Sequence, residues 1–333
     1  MQEKIKELSK LLKEAKNIII VTHNNPDGDA IGSSLALFHF LNKINIKATT
    51  ITPNNHPSFL NWVPGINELL IFEENTEITT KKIKESDLIF TLDFNSLTRC
   101  GEIFNHLDLE KNFVMIDHHQ NPENYAKIQF SEPNISSTCE LVYNLIDGFG
   151  KKSLINKKIA SCLYLGMMTD TGCFQYNGVT SQTYDIISYL ITKKIDQSEI
   201  YNNVYNNSNK SKLLVLGKAL GSLKVLKKDN TSFMHLTKKD LLDSNYQKGD
   251  SEGIVNYGLS LSNINFTAIF IEDIDQEDLI KISFRSKIDF PCNKFAEQYF
   301  EGGGHINAAG GKYNGSVKEA IKFFKEKIKE FQV

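Results

Sequence analysis

The chain has 333 residues, which is more than one typical hydrophobic core accommodates, so two domains are expected. Its formal net charge is −2, with 38 Lys and Arg residues against 40 Asp and Glu residues. This near balance argues against a protein that coats long nucleic acid through a broad basic surface.

No apolar stretch approaches the roughly 20 residues that a membrane span needs, and the first residues lack the apolar centre of a signal peptide. The five cysteines are scattered without a C-x-x-C pair, which indicates neither a zinc knuckle nor a disulfide framework. We therefore expect a cytoplasmic protein that has neither a membrane nor long nucleic acid among its partners.

The first half of the chain alternates between helix and strand patterns. Amphipathic spacing predicts a helix over residues 1–16. Apolar runs predict strands at 17–22, 46–52, 87–92, 112–116 and 126–130. Further helices are predicted at 30–41, 77–85, 137–147 and 156–168. The alternation is typical of a doubly wound α/β domain with a mostly parallel sheet.

The pattern is helical from residue 181 to about 226, and the remainder predicts a smaller α+β domain. Its strands are expected at 231–236, 264–271 and 278–284, and its helices near 250–257, 292–300 and 316–331. We expect a first domain over 1–188, a helical linker over 189–215 and a second domain over 216–333.

Asp and His residues stand where four apolar runs stop. The residues concerned are His23, Asp27 and Asp29 after the first run, Asp93 after the second, Asp117, His118 and His119 after the third, and Asp170 after the fourth. In an open parallel sheet the carboxyl ends of the strands converge on one edge, where ligands bind. We therefore expect these side chains to meet there.

Six of these side chains offer oxygen or imidazole ligands for metal ions: His23, Asp27, Asp29, Asp93, His118 and Asp170. Six ligands are too many for one tetrahedral zinc site and suit two divalent cations that share a carboxylate. A donor set without thiolate favours Mn²⁺ or Mg²⁺, with other divalent ions such as Co²⁺ able to exchange. The chemistry implied is hydrolysis of a phosphoester or a phosphoanhydride.

A second candidate site lies in the C-terminal third. Gly302, Gly303 and Gly304 would let backbone N–H groups approach a ligand closely, and His305 adds a side-chain donor. Arg285 and Ser286 end a predicted strand, and the planar guanidinium suits bidentate phosphate binding. This glycine-rich loop is predicted to precede a helix and, with Arg285, to clamp the substrate opposite the metals.

Five motifs, in the order in which they occur, resemble those of the DHH/DHHA1 phosphoesterase superfamily. They are His23-x-x-x-Asp27-x-Asp29, Asp93, Asp117-His118-His119, Asp170 and Gly302-Gly303-Gly304-His305-x-x-Ala308-Ala309-Gly310. In length and architecture the chain is similar to the nanoRNase/pAp phosphatase branch of that superfamily. The resemblance implies a DHH domain, a smaller DHHA1 domain and an active site in the cleft between them.

The resemblance also implies how the ligands are shared between two metal ions. One set would be His23, Asp27 and Asp93, and the other Asp29, Asp93, His118 and Asp170. Asp93 would therefore bridge the two ions.

Three further residues match positions near the reacting phosphate in the family. His119 resembles the histidine that contacts the scissile phosphate, and Asp117 is expected to orient the histidines. Arg99 resembles a recurrent arginine that supports the substrate phosphate.

Members of this branch release 5′-mononucleotides from RNA a few nucleotides long, and many convert 3′-phosphoadenosine 5′-phosphate (pAp) to AMP. The resemblance thus implies short RNA and pAp as substrates. Because family members are often dimers, a homodimer is expected from the resemblance alone.

Three alternatives stay open from the sequence. An inorganic pyrophosphatase would replace the C-terminal clamp with a pocket richer in lysine and arginine. A linear or cyclic dinucleotide phosphodiesterase shares nearly every motif, although one such branch carries membrane and sensor segments for which this sequence has no pattern. A non-catalytic nucleotide-binding module is disfavoured because all six ligands and His119 are present.

Overall fold

The structure, a computed structural model, describes residues 2–176, 178–287 and 290–331. The chain folds as two compact units that divide between Asn207 and Ser208. This division lies inside the segment 189–215 that was predicted as a helical linker. Across the described ranges, no helix combines the length and the apolar character needed to cross a membrane.

The first unit contains a six-stranded parallel sheet. Its strands are β1 Ile18–Thr22, β2 Ala48–Thr52, β3 Leu70–Ile71, β4 Leu88–Leu92, β5 Asn112–Asp117 and β6 Ile128–Ser131. The strand order is β3-β2-β1-β4-β5-β6, and every neighbouring pair is parallel. The order reverses between β1 and β4, so the predicted doubly wound α/β fold is confirmed and its switch point lies between these strands.

Seven α-helices belong to the described part of this unit. They are α1 Gln2–Glu14, α2 Gly28–Lys43, α3 Thr76–Glu85, α4 Thr138–Gly148, α5 Lys157–Asp170, α6 Ser181–Ile191 and α7 Gln197–Tyr205. Short 3₁₀ segments lie at Ser58–Leu60, Ile66–Glu68 and Lys152–Leu154, and two more, separated by a kink at Gly101, make up the segment Leu97–His106.

The central strands are buried on both faces, which explains why they are continuous apolar runs in the sequence. In β1, Ile18 and Ile20 pack into the core that includes α2, α4 and α5. Ile19 and Val21 point to the opposite face and pack with α3 and the 97–106 segment. Alternation of side chains along a strand therefore gives the sheet a helical layer on each side.

The second unit contains a mixed sheet of six strands. They are β7 Lys224–Leu226, β8 Thr231–Leu236, β9 Phe266–Glu272, β10 Leu279–Ser286, β11 Gly303–His305 and β12 Ala308–Asn314. The order is β11-β12-β10-β9-β8-β7, and only the β8–β9 pair is parallel.

The helices of the second unit are α8 Lys210–Gly221, α9 Lys238–Asp243, α10 Cys292–Tyr299 and α11 Val317–Glu330, with 3₁₀ segments at Lys227–Asp229 and Ile254–Ser260. The core of this unit is rich in phenylalanine, with Phe266, Phe284, Phe295 and Phe324 fully buried. The predicted smaller α+β domain is therefore confirmed.

Two local predictions in the second unit were wrong. The helix expected near 250–257 is a 3₁₀ segment at Ile254–Ser260. The glycine-rich segment, predicted as a loop that precedes a helix, is a β-hairpin, although the predicted helix does follow it as α11. A Cβ atom on Gly302 would lie 1.9 Å from the carbonyl oxygen of Gly310, so glycine at this position permits the close approach of two backbone segments.

Candidate metal centre

Three strands deliver side chains to the switch point of the parallel sheet. His23 directly follows β1, Asp93 directly follows β4, and Asp117 is the last residue of β5. Because β4 pairs with both β1 and β5, these three positions are neighbours at one edge. The predicted convergence is confirmed for these three strand ends, whereas the fourth apolar run, which ends at Asp170, is the helix α5.

The loop between β1 and α2 is held by polar contacts on both sides. Asp27 caps α2, and its Oδ1 accepts hydrogen bonds from the backbone N–H groups of Asp29 and Ala30 at 3.0 Å each. Asn25 and Asn54 are joined by two hydrogen bonds of 2.7 Å, one through the Asn25 backbone and one between the side chains. These contacts fix the backbone between His23 and Asp29.

Asp93 lies at the centre of the site and is 2% exposed. Its backbone has a left-handed φ of 68°, and its N–H donates to the carbonyl of Ile116 at 3.0 Å. Its Oδ2 is 3.5 Å from Nε2 of His23, and its Oδ1 is 3.7 Å from Nε2 of His118. The two carboxylate oxygens therefore face two different histidines, so Asp93 could offer one oxygen to each of two metal ions.

Asp29 and Asp170 reach the site from two helices that cross closely. Asp29 is in the first turn of α2, and Asp170 is the last residue of α5, 3.2 Å from Nε2 of His118. A Cβ on Gly166 would lie 2.5 Å from Oδ1 of Asp29, and one on Gly28 would lie 2.5 Å from Oγ1 of Thr169. Glycines at the crossing thus allow the two carboxylates to come together.

The ligand atoms form three groups in which all atoms lie within 4.8 Å of one another. The groups are His23 with Asp27 and Asp93, Asp29 with His118 and Asp170, and Asp93 with His118 and His119. The structure therefore brings together all six residues predicted as metal ligands, and it adds His119 beside them.

The electrostatics of these groups fit divalent cations. Burial, reinforced by the carboxylates of Asp93 and Asp170, raises the pKa of Asp29 well above its ordinary value. Burial also raises the pKa of Asp170 to about 7, against the opposing effect of His118. Within the described ranges, no lysine or arginine forms an ion pair with Asp29, Asp93 or Asp170. Buried carboxylates without such partners are typical of a site that binds metal ions.

The histidines respond to the same carboxylates. Burial lowers the pKa of His23, but a hydrogen bond with Asp93 and the charge of Asp27 outweigh it and raise the pKa to about 9. Burial of His118 is likewise outweighed by Asp170 and Asp93, which raise its pKa to about 9. Burial of Asp93 would raise its pKa, but the hydrogen bond with His23 and the nearby histidine charges lower it.

His119 is oriented by Asp117. Nδ1 of His119 lies 2.7 Å from Oδ1 of Asp117, a carboxylate that is fully buried. The ring nitrogen donates to the carboxylate oxygen in this contact, and Nε2 points away from Asp117. Sequence reasoning expected Asp117 to orient the histidines, and the structure gives this contact for His119.

Arg99 is tied to the loop of His23 through its backbone. It lies in the 3₁₀ segment Leu97–His106, and its carbonyl oxygen accepts a hydrogen bond of 2.7 Å from the N–H of Asn24. The phosphate-supporting role of its guanidinium stays a prediction.

In the second unit, the predicted substrate residues lie together on one sheet. Arg285 of β10 and His305 of β11 both stand opposite Ala308 of β12, so their side chains share a row and a face. Gly303 and Gly304 belong to β11. Ser286 donates through Oγ to the carbonyl of Phe290 at 2.7 Å.

Asn307 was not singled out from the sequence. Its Nδ2 donates to Oγ of Ser286 at 2.9 Å, and its carbonyl accepts from the Ser286 N–H at 3.1 Å. It therefore ties the hairpin to the end of β10.

Thr138 was also not predicted from the sequence as a residue of the site. It is buried at the start of α4, its N–H donates to Oδ2 of Asp29 at 2.6 Å, and its Oγ1 donates to Oδ1 of Asp93 at 2.9 Å. The run Ser136-Ser137-Thr138 is a recognisable helix start, but no local signal connects it to Asp29.

Comparison with known proteins agrees with the fold. Residues 17–167 match the family model described as the DHH family, N-terminal domain, and residues 230–331 match that of the DHHA1 domain. The chain belongs to the DHH/DHHA1 family.

A crystal structure of an exopolyphosphatase-related protein from Bacteroides fragilis is similar to this chain. It is 44% identical, with a TM-score of 0.95, and the match covers 99% of this chain and 96% of that one. The bifunctional oligoribonuclease and PAP phosphatase NrnA of Bacillus subtilis is 26% identical, over 91% of both chains. The cyclic-di-AMP phosphodiesterase GdpP of the same organism is 28% identical over 97% of this chain and 49% of GdpP. Membership in a family of phosphoesterases makes this protein a hydrolase.

Proposed function

We propose that this protein is a metal-dependent phosphodiesterase and phosphatase that hydrolyses oligoribonucleotides of a few residues to 5′-mononucleotides and pAp to AMP. The observation that carries the proposal is the division of the Asp93 carboxylate, one oxygen facing His23 and the other facing His118. This arrangement suits two divalent cations, for which Mn²⁺ is the proposed choice over Mg²⁺ or Co²⁺. When bound, such cations acidify a water molecule and neutralise phosphate oxygens.

Each remaining residue has a proposed role that its position supports. His119, held by Asp117, offers Nε2 to the scissile phosphate or its leaving oxygen. Arg99 is proposed to support that phosphate from the segment beside the His23 loop. In the second unit, Arg285 and His305 share one face of the sheet. They would bind another phosphate or a base of the substrate. The other residues proposed for this clamp are Ser286, Gly303 and Gly304.

The clamp explains the proposed preference for short substrates. A second contact in addition to the metal centre would bind an oligonucleotide of a few residues over its whole length, whereas the further nucleotides of a long RNA would gain no additional contact. Similarity to NrnA over 91% of both chains supports the proposed preference for short RNA. We propose a cytoplasmic location, in keeping with the five free cysteines.

The test is a product assay with Mn²⁺ in which all candidate substrates are offered in parallel. They are 5′-labelled RNAs of two to five nucleotides, a 24-nucleotide RNA, pAp and pyrophosphate. We expect fast release of mononucleotides from the short RNAs, conversion of pAp to AMP, and almost no turnover of the long RNA. Turnover of pyrophosphate alone would contradict the proposal.

A second candidate function is hydrolysis of cyclic or linear dinucleotides, which the similarity to GdpP favours. The same assay with cyclic-di-AMP and the linear dinucleotide pApA separates the two. Turnover of cyclic-di-AMP at a rate that exceeds that of the short RNAs would favour the second candidate.

A further inference from the structure

Thr138 connects two carboxylates of the metal centre that come from different parts of the fold. Its backbone N–H donates to Oδ2 of Asp29 at 2.6 Å, and the neighbouring N–H of Cys139 donates to Oδ1 at 2.9 Å. Its hydroxyl donates to Oδ1 of Asp93 at 2.9 Å. One buried residue at the start of α4 therefore touches both the Asp29 and the Asp93 carboxylates.

The hydroxyl contact determines which oxygen of Asp93 faces His23 and which faces His118. Rotation of a carboxylate about its Cβ–Cγ bond is only weakly restrained, so the backbone of Asp93 does not by itself assign one oxygen to each histidine. A hydrogen bond from Thr138 to Oδ1 fixes that rotation, and it leaves Oδ2 directed toward His23 at 3.5 Å.

Thr138 can hold the carboxylates in place because its own position is rigid. Oγ of Ser137 caps α4 by accepting a hydrogen bond of 3.1 Å from the N–H of Glu140. The buried carboxylate of Glu140 accepts hydrogen bonds from Ser136 and, at 3.1 Å, from Thr183 in α6. The first turn of α4 is therefore anchored from both sides.

We propose that Thr138 is a positioning residue that sets the geometry of the metal centre through its hydroxyl group. The inference rests on the proposed function, since it concerns the same metal ligands. Contacts of this kind around metal ligands typically change metal affinity or activity by about 10- to 100-fold when they are removed.

The experiment compares Thr138→Ser, Thr138→Ala and Thr138→Val in the full chain. Mn²⁺ binding is measured by isothermal titration calorimetry after removal of metal with a chelator, and thermal unfolding of the metal-free variants is recorded alongside. Thr79→Val is the matched control, because Thr79 is also fully buried and its hydroxyl donates to the backbone carbonyl of Asn75 at 2.7 Å.

We expect T138S to bind Mn²⁺ nearly as tightly as the unaltered protein. T138A and T138V should bind it about 10- to 100-fold more weakly, whereas T79V should lose thermal stability without losing affinity. If T138V does not fold, the Mn²⁺ affinities of T138S and T138A still test the role of the hydroxyl group, since these two variants differ only in that group.

Equal Mn²⁺ affinities for T138S and T138A would overturn the positioning role while leaving the proposed function intact. Failure of the unaltered protein to bind Mn²⁺ would overturn both. The two failures are therefore distinguishable.

Discussion

Oδ1 of Asp117 accepts a hydrogen bond from Nδ1 of His119 across 2.7 Å, at the carboxyl end of β5. The two residues are separated by His118, whose Nε2 turns toward Asp170 at 3.2 Å instead. The consecutive histidines thus have different environments. His118 lies among carboxylates that are proposed metal ligands, whereas His119 is held by Asp117, which is not one of them.

Replacing Asp117 with Asn should slow turnover by about 10- to 100-fold and leave KM nearly unchanged. The amide has no negative charge to hold the proton on Nδ1 of His119, and it can rotate to donate instead of accepting. Steady-state kinetics on pAp would measure the effect. Because both residues act as one unit, D117N combined with H119A should be no slower than H119A alone. Additive losses would contradict this linkage.

Replacing Asp93 with Asn should reduce Mn²⁺-dependent hydrolysis by about 100-fold or more, because one oxygen of the carboxylate that is proposed to bridge two metal ions becomes an uncharged amide group. Asn is a better test than Ala here, since Asn tolerates the left-handed backbone observed at this position. Asp185→Asn is the control, as Asp185 is exposed on α6. Calorimetry should show that D93N binds fewer Mn²⁺ ions than D185N. Unchanged stoichiometry would contradict the bridging role.

Binding of Mn²⁺ at pH 7 should release protons. His23 and His118 each have a pKa of about 9 in the metal-free protein, so both carry a proton at pH 7 that a metal must displace. Affinity should therefore rise as the pH is raised from 7 and level off above about 9. Calorimetry in buffers with different ionisation enthalpies counts the protons. Heats that do not depend on the buffer at pH 7 would contradict the assignment of these histidines as ligands.

Replacing Gly166 with Ala should destabilise the fold by about 1–3 kcal/mol and also weaken metal binding. The added Cβ would lie 2.2 Å from Sγ of Cys139 in α4 and 2.5 Å from Oδ1 of Asp29 in α2, so α5 must move away from both helices. Urea denaturation gives the change in stability, and Mn²⁺ titration gives the change in affinity.

Gly217→Ala is the matched control for that variant, because a Cβ there meets nothing within 4 Å inside α8. We expect it to be stabilising by about 0.5–1 kcal/mol, with unaltered metal binding. If G166A behaved like G217A, the close crossing of α2 and α5 would not matter for the site.

Much of the fold, and the residues that meet in the candidate metal centre, were predictable from local patterns. The apolar runs before His23, Asp93 and Asp117 identify buried parallel strands, and parallel strands place their carboxyl ends on one edge. The hairpin that contains Gly303–His305 was not predictable in the same way. Consecutive glycines are equally compatible with a loop that binds a ligand and with two strands whose backbones approach closely.

The sequence by itself determined the order of the elements, the types of donor atom and the strand ends at which they appear, because periodicity and motif spacing are local properties. Only the tertiary structure decided that Asp29 meets Thr138, that Asp93 divides its oxygens between two histidines, and that Gly166 lets α2 approach α5. These relationships depend on distances between elements far apart in the chain. Packing of the elements against one another sets those distances, and no local pattern records them.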